Sequence, residues 1–268
     1  MPAPIPLTST DIVVDRSDAA VAIVTINRAG RRNALTLAMW QELRRVFVEL
    51  GQASNVRAIV LTGAGGAFCA GADISEFPAV RATIEDGRVY EAAVDAVHLS
   101  IAASPKPTIA AISGPCFGGG VALALSCDFR VADATAYFAI PAARLSNVYG
   151  VVETRVLFDA VGLAVAKEVL FTGRRYDAAE AYRVGLATHM ALSGEALGAA
   201  LDFAQGMKAS APLTIQGAKI VIEAIARNTV ATRADAIHEV MDTAIASEDY
   251  KEGVAAFAAK RDPVFQGR

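Results

Sequence analysis

Between Pro107 and Leu125 the chain reads Pro-Thr-Ile-Ala-Ala-Ile-Ser-Gly-Pro-Cys-Phe-Gly-Gly-Gly-Val-Ala-Leu-Ala-Leu. A short apolar run rich in Ile and Ala is followed by a Gly-Pro break, three consecutive glycines and an unbroken apolar helix former. That order predicts a buried strand, a tight turn and a buried helix. Three glycines at a helix start cost conformational entropy, so the position has to require them. One requirement is close packing of strand against helix. The other is a ligand lying on bare backbone, where N–H groups at a helix N-terminus point outward and stabilise negative charge. The glycine run alone leaves both open.

A second stretch has the same grammar. Ala58-Ile59-Val60-Leu61-Thr62-Gly63 is apolar and β-branched and ends in Gly. It runs into the small-residue loop Ala64-Gly65-Gly66-Ala67-Phe68-Cys69-Ala70-Gly71-Ala72-Asp73-Ile74. Two such loops, each following a buried strand, can supply one N–H each to a single oxygen. This is the arrangement of an oxyanion hole, suited to a thioester carbonyl as charge moves onto it.

At these residues the sequence resembles the crotonase family, the enoyl-CoA hydratase/isomerase superfamily. The matching pieces are Asn27-Arg28 with Asn33-Ala34-Leu35, Ile59 to Gly63, Phe68 to Ile74, Lys106-Pro107, Gly118-Gly119-Gly120, Cys127-Asp128 and the tail from Phe257 to Arg261. Each is weak alone; their order and spacing carry the resemblance nearly end to end. It implies an α/β fold of repeated ββα units wound into a spiral of two stacked, nearly perpendicular sheets. Residues 1–200 would form that core with its CoA-binding loops, and 201–268 a helical region that builds a homotrimer or a hexamer of paired trimers. The ligand would be an acyl-CoA thioester, with coenzyme A as part of the substrate and no separate cofactor. The N–H groups of Ala72 and Gly119 would form the hole. Arg28 and Arg31 would lie near the CoA phosphates, although both also read as residues of a solvated turn. Ala34, Ala70, Asp73, Ile74, Phe117, Gly118, Pro141, Ala142 and Leu145 would line the substrate path. Phe257 and Lys260 would reach it from a neighbouring subunit.

The sequence departs from the pattern where the chemistry is done. Hydratases of the family carry one glutamate two residues after the glycine triplet, here Ala122. They carry a second after a proline, in the stretch matched by Phe138-Ala139-Ile140-Pro141-Ala142, here Ala142. Adding water to a conjugated double bond needs one group to deprotonate the water and another to protonate the α-carbon, and alanine does neither. Tyr149 stands where the methylmalonyl-CoA decarboxylase branch has a tyrosine. Lys167 to Thr172 and Ser247 to Gly253 also resemble that branch, but a His of that branch is replaced by Ala72. A decarboxylase needs a hole for the enolate and no strong base, so it tolerates both losses. Tyr149 is expected across the pocket from the two N–H groups. Glu153 is the nearest remaining carboxylate. It reads either as a general base for isomerisation or thioester hydrolysis, or as a surface residue in a first helical turn, where negative charge is favourable. The functional expectation is an acyl-CoA enzyme of the lyase class that stabilises a thioester enolate. Its alternatives are a malonyl- or methylmalonyl-CoA-type decarboxylase and a non-catalytic acyl-CoA binder.

Composition narrows the remaining classes. The net charge is −3 with no basic stripe, which argues against nucleic acid. No charge-free apolar segment approaches about 18 residues, so no membrane span is expected. Met1 to Thr10 carries three prolines and no basic n-region, unlike a signal peptide. Cys69, Cys116 and Cys127 lack zinc-type spacing and read as reduced, structural thiols of a cytoplasmic protein. His98, His189 and His238 show no metal-ligand spacing, so no metal is expected, and they read as surface or satisfied polar residues.

Elsewhere the pattern predicts strands over Ile12–Asp15, Val21–Ile26, residues 57–62 and Phe129–Ala132. It predicts an amphipathic helix from Thr36, its N-cap, to Gln52, with Trp40 in the core. Residues 75–90 read as a mobile surface segment leading into a helix ending near Ser104. Beyond about residue 200 only helices are expected, from Pro212 to about Arg227, over 231–246 and over 249–259.

Overall fold

The structure, a computed structural model, describes residues 9–18 and 20–268. The reading of Met1 to Thr10 therefore falls outside the described residues, except for Ser9 and Thr10. Among the described residues a six-stranded sheet runs in the order β1-β2-β3-β4-β6-β9 and a three-stranded sheet in the order β5-β7-β8. The strands are β1 (Ile12–Asp15), β2 (Val21–Ile26), β3 (Ala58–Gly63), β4 (Thr108–Ile112), β5 (Pro115–Phe117), β6 (Phe129–Asp133), β7 (Tyr137–Ala139), β8 (Tyr176–Asp177) and β9 (His189–Ala191). β1 pairs antiparallel with β2; every other pairing in the large sheet is parallel.

The inner strands read as continuous apolar runs because both faces are covered. Ile59, Leu61, Ala110 and Ile112 point into the main core. Their neighbours Ala58, Val60, Ile109 and Ala111 point the other way, into a second cluster with Ala196, Ala200 and Ala204. Those alanines belong to α7 (Ala196–Lys208), so the sequence-derived boundary at 200 falls inside a helix that covers the sheet.

On the main-core side lie α1 (Leu37–Gln52), α3 (Ile84–Ala102) and α4 (Gly119–Ser126). Thr36 caps α1, its hydroxyl accepting from the Met39 N–H at 3.2 Å. Every residue of α4 from Gly120 onward is buried, as a helix apolar all round must be. Residues 75–90 differ from the expected loop. They hold a short helix, α2 (Phe77–Val80), and the start of α3, which Thr83 and Asp86 fix with reciprocal capping bonds. The weak apolar period hid this start; the Thr-x-x-Asp pair was its signal.

α5 (Val151–Thr172) is kinked at Gly162, which sits at φ +74°. α6 (Ala178–Val184) returns to the sheets, and α8 (Pro212–Ala226), α9 (Ala234–Ala246) and α10 (Glu248–Ala259) complete the chain. The tail helices leave Ile222, Ile225, Ile245, Val254 and Phe257 exposed. Among the described residues no helix is long and apolar enough to cross a membrane, and no group of His, Cys, Asp and Glu could hold a metal ion.

Candidate active site

β3 and β4 are adjacent and parallel, so the loops that leave their carboxyl ends emerge on the same side of the sheet, where open α/β sheets place ligands. The first loop is pinned from below by Asn33. Its side-chain amide donates to the carbonyls of Ala64 and Ala67, at 2.9 and 2.7 Å. The two loops then touch. Cys69 pairs with Cys116 in an isolated parallel bridge. A Cβ on Gly120 would lie 2.4 Å from the Cys69 carbonyl oxygen, and one on Gly71 would lie 3.1 Å from the Gly119 nitrogen. Gly71 and Gly118 also hold positive φ, +89° and +50°, which favours glycine at both. Close approach of the two loops is thus one reason for the glycines.

That approach brings the backbones of Ala72 and Gly119 to one cavity. The Leu35 N–H donates to the Gly71 carbonyl and the Asp73 N–H to the Leu35 carbonyl, so the N–H of Ala72, between them, faces away from this pairing. Gly119 is the first residue of α4 and has no carbonyl one turn back to bond. Neither N–H has a hydrogen-bond acceptor among the described residues. Ala72 and Gly119 both line a cavity of about 600 Å³.

The same cavity is lined by Ala70, Ile74, Phe117, Gly118, Pro141, Ala142 and Leu145, so these nine of the sequence-derived residues are brought together. Arg28, Arg31, Ala34 and Asp73 are not in its wall. Arg28 and Asp73 form a 2.5 Å ion pair, and Arg28 also donates to the Ala34 carbonyl, so the pair ties the turn at 28–34 to the first loop. Hydrogen bonds from Ser75 and Arg28 hold the Asp73 carboxyl down at about 2. Arg31 is exposed. Phe257 and Lys260 stand at the end of the tail, away from this cavity; Phe257 lines a separate apolar groove with Ile245 and Val254.

Tyr149 is in the cavity wall but not across from the N–H groups. Its hydroxyl donates to the Gly118 carbonyl at 3.0 Å. That carbonyl belongs to the same peptide unit as the Gly119 N–H, so Tyr149 braces that N–H from behind. The bond brings Tyr149 onto the glycine triplet, a tertiary contact that a matched position in the sequence could not reveal.

Glu153 is no surface residue. Its side chain is 12% exposed and lines the cavity, and Oε1 would be 3.8 Å from a Cβ on Gly119. Burial pushes the carboxyl up from 4.5 to about 7, Glu91 and Asp95 add to the rise, and the Gly150 N–H and Arg81 oppose it. A carboxyl that titrates near neutrality beside two free N–H groups is equipped for proton transfer. Trp40, assigned to the core, is buried and also floors the cavity under Gly119; its indole N–H donates to the Tyr90 hydroxyl at 3.1 Å.

The sequence reading missed Arg81 and His98. Arg81 lines the cavity, stacks on Phe77 and pairs with Glu91 at 3.0 Å. His98 is fully buried behind Glu153, and its Nε2 has no hydrogen-bond partner among the described residues, so it is not the satisfied histidine expected. His189 is half-buried between Phe129 and Phe203, and His238 is exposed. Burial pushes the Cys69 thiol up to about 12 and Cys116 well above its usual value, so neither is a ready nucleophile.

The family model described as enoyl-CoA hydratase/isomerase matches residues 16–268. The short-chain-enoyl-CoA hydratase of Clostridium acetobutylicum is 34% identical over 250 residues, which cover 93% of this chain and 95% of that one. A crystal structure of an enoyl-CoA hydratase/carnithine racemase from Magnetospirillum magneticum superposes with a TM-score of 0.90 at 35% identity, covering 97% of each chain. The enoyl-CoA hydratase of Bacillus anthracis gives a TM-score of 0.89 at 31% identity, covering 97% of this chain and 100% of that one.

Proposed function

The chain belongs to the enoyl-CoA hydratase/isomerase family, and from that premise we propose that it holds the enolate of an acyl-CoA thioester on the Ala72 and Gly119 N–H groups while Glu153 moves one proton. The observation that carries this reading is the convergence of two unpartnered backbone donors and one near-neutral carboxyl on a single cavity. The hole takes the charge that develops on the thioester oxygen. With a β,γ-unsaturated acyl chain, Glu153 as carboxylate takes a proton from the α-carbon to give a dienolate and, as acid, returns it to the γ-carbon, so the double bond moves to the α,β position. Hydration asks for two such groups, and Ala122 and Ala142 supply neither. Coenzyme A enters as part of the substrate, and no other cofactor is assigned. Arg31 at the exposed turn is placed near its phosphates. The apolar groove of the tail with Phe257, and Lys260 beside it, is assigned to a trimer or hexamer contact.

One observation favours a second reading. A carboxyl raised to about 7 is substantially protonated near neutrality, which suits decarboxylation of a malonyl- or methylmalonyl-type thioester. There the bond from Cα to the departing carboxylate breaks, its electron pair enters the enolate in the hole, CO₂ leaves, and Glu153 gives its proton to Cα. Water then restores that proton.

The test is a panel of crotonyl-, malonyl- and methylmalonyl-CoA and a β,γ-unsaturated acyl-CoA, with butyryl-CoA binding measured by calorimetry. Crotonyl-CoA hydration is expected to be very slow, since each missing acid or base costs roughly 10²–10⁴-fold. Glu153→Gln is expected to lower turnover of the true substrate by a similar factor without loss of binding. Binding without turnover of any substrate would leave a non-catalytic acyl-CoA binder. No binding of any acyl-CoA, or full turnover by Glu153→Gln, would refute the proposal.

A further inference from the structure

A second titratable side chain faces Glu153. His98, on α3, is fully buried. Its Nδ1 lies 3.0 Å from Ser126 Oγ, and that Oγ lies 2.8 Å from the Ala122 carbonyl one helical turn back. A hydroxyl has one proton to give. The shorter contact, the back-bond that serines commonly make inside helices, takes it. Ser126 Oγ is then the acceptor and His98 Nδ1 the N–H donor, which leaves Nε2 with a lone pair. Glu153 Oε1 stands 3.8 Å from Nε2, beyond hydrogen-bond distance, and Nε2 has no hydrogen-bond partner among the described residues. An ionised carboxylate there sets lone pair against lone pair. A carboxylic acid can turn its proton to Nε2.

We propose that His98, locked by Ser126 in the Nδ1–H tautomer, is a positioning residue that offers Nε2 to the protonated form of Glu153 and so keeps the pocket acid loaded between turnovers. The proposal rests on the role given to Glu153 above. The other groups facing Glu153 do not replace this one. Glu91 and Asp95, also on α3, disfavour its charge, and Arg81, after α2, favours it but is itself paired with Glu91. From its own helix start the Gly150 N–H, at 3.2 Å, favours the charged form, and Tyr149 spends its proton on Gly118. Of these facing groups among the described residues, His98 is the one that rewards the proton itself. Burial holds its imidazole neutral, down at about 3, and its ring packs on Trp40 at 5.8 Å between centroids.

The test begins with the unmodified full chain, labelled with ¹⁵N-histidine, and needs no variant. His98 is expected to be neutral and Nδ1-protonated on both sides of pH 7, with an Nε2 resonance that moves as Glu153 titrates and no longer does so in Glu153→Gln. Ser126→Ala removes the acceptor that fixes the tautomer. An Nε2–H form then becomes available to donate to the carboxylate, so the Glu153 limb of the kcat/KM profile is expected to fall by roughly one pH unit. An imidazolium at neutral pH, an Nε2–H tautomer in the unmodified chain, or a Ser126→Ala profile that does not move would each overturn the proposal. If Glu153→Gln loses turnover while any of these is seen, only the role of His98 fails. If Glu153→Gln keeps full turnover, the role of Glu153 fails with it.

Discussion

Replacing Glu153 by Gln should stabilise the fold at alkaline pH even as it removes activity. The carboxyl titrates at about 7 in the folded chain against 4.5 outside it. Between those values the folded chain binds a proton that the unfolded chain releases, so stability falls as pH rises through this window. Below 4.5 both states are protonated and nothing is lost; above about 7 both are ionised and the whole loss is present. The interval, at about 1.36 kcal/mol per pH unit, amounts to about 3 kcal/mol, most of it between pH 5 and pH 8. The side chain is only 12% exposed, so solvent screening removes little of this. Gln keeps the shape, can still accept from the Gly150 N–H, and carries no charge at any pH. Urea unfolding of both proteins at one fixed protomer concentration gives the quantity, because association would otherwise enter the measured stability. The stability of the variant relative to the parent should rise by about 3 kcal/mol across the window. A difference that stays constant with pH would refute the buried, near-neutral carboxyl and the acid–base role built on it.

Gly120→Ala should push the two hole loops apart, since its Cβ would lie 2.4 Å from a backbone oxygen, at a cost of about 1–3 kcal/mol and most of the activity; thermal melting and turnover read both. Gly87→Ala is the control in the same fold: a Cβ there meets nothing within 4 Å, so the helix should gain about 0.5–1 kcal/mol with turnover unchanged. Tyr149→Phe should lower kcat roughly threefold to tenfold with little change in KM, because it loosens the peptide proposed to hold the enolate. Phe257→Glu, at a side chain 88% exposed within the apolar groove, should lower the sedimenting mass in solution, and an unchanged mass would remove that groove from the assembly contact.

The two strand–glycine loops were legible because their signals are local. An apolar run ending in Gly says strand and turn, and the glycine triplet marks bare backbone whatever surrounds it. The caps at Thr36 and the apolar stripe of α1 were equally local. The start of α3 was obscured by Pro78 and Gly87, although its Thr83–Asp86 pair stood in the sequence. What could not be read was which groups meet across the fold. His98 and Glu153 are 55 residues apart in number and meet only because α3 and α5 pack against each other. Tyr149 was found by its position in a matched loop, and its partner, a carbonyl, leaves no trace in a sequence. Arg28 and Asp73 were both assigned to the ligand from the motifs they belong to, and that they also pair with one another was not legible there.

The hydrogen bond from Tyr149 to the Gly118 carbonyl and the side chain of Glu153 are anchored within one turn of the same helix start. Donor peptide and proton carrier are therefore set in register by a single piece of backbone. On the proposed function, a displacement of that start would carry the acid and loosen the hole together, so the two would not drift independently between productive and unproductive arrangements. The 142–150 segment feeds straight into it and supplies Ala142, Leu145, Ser146, Asn147 and Tyr149 to the cavity wall, so on the proposed function an acyl group pressing on this segment would act on both at once. On that proposal, selectivity for the acyl chain and readiness for proton transfer would be one mechanical variable rather than two.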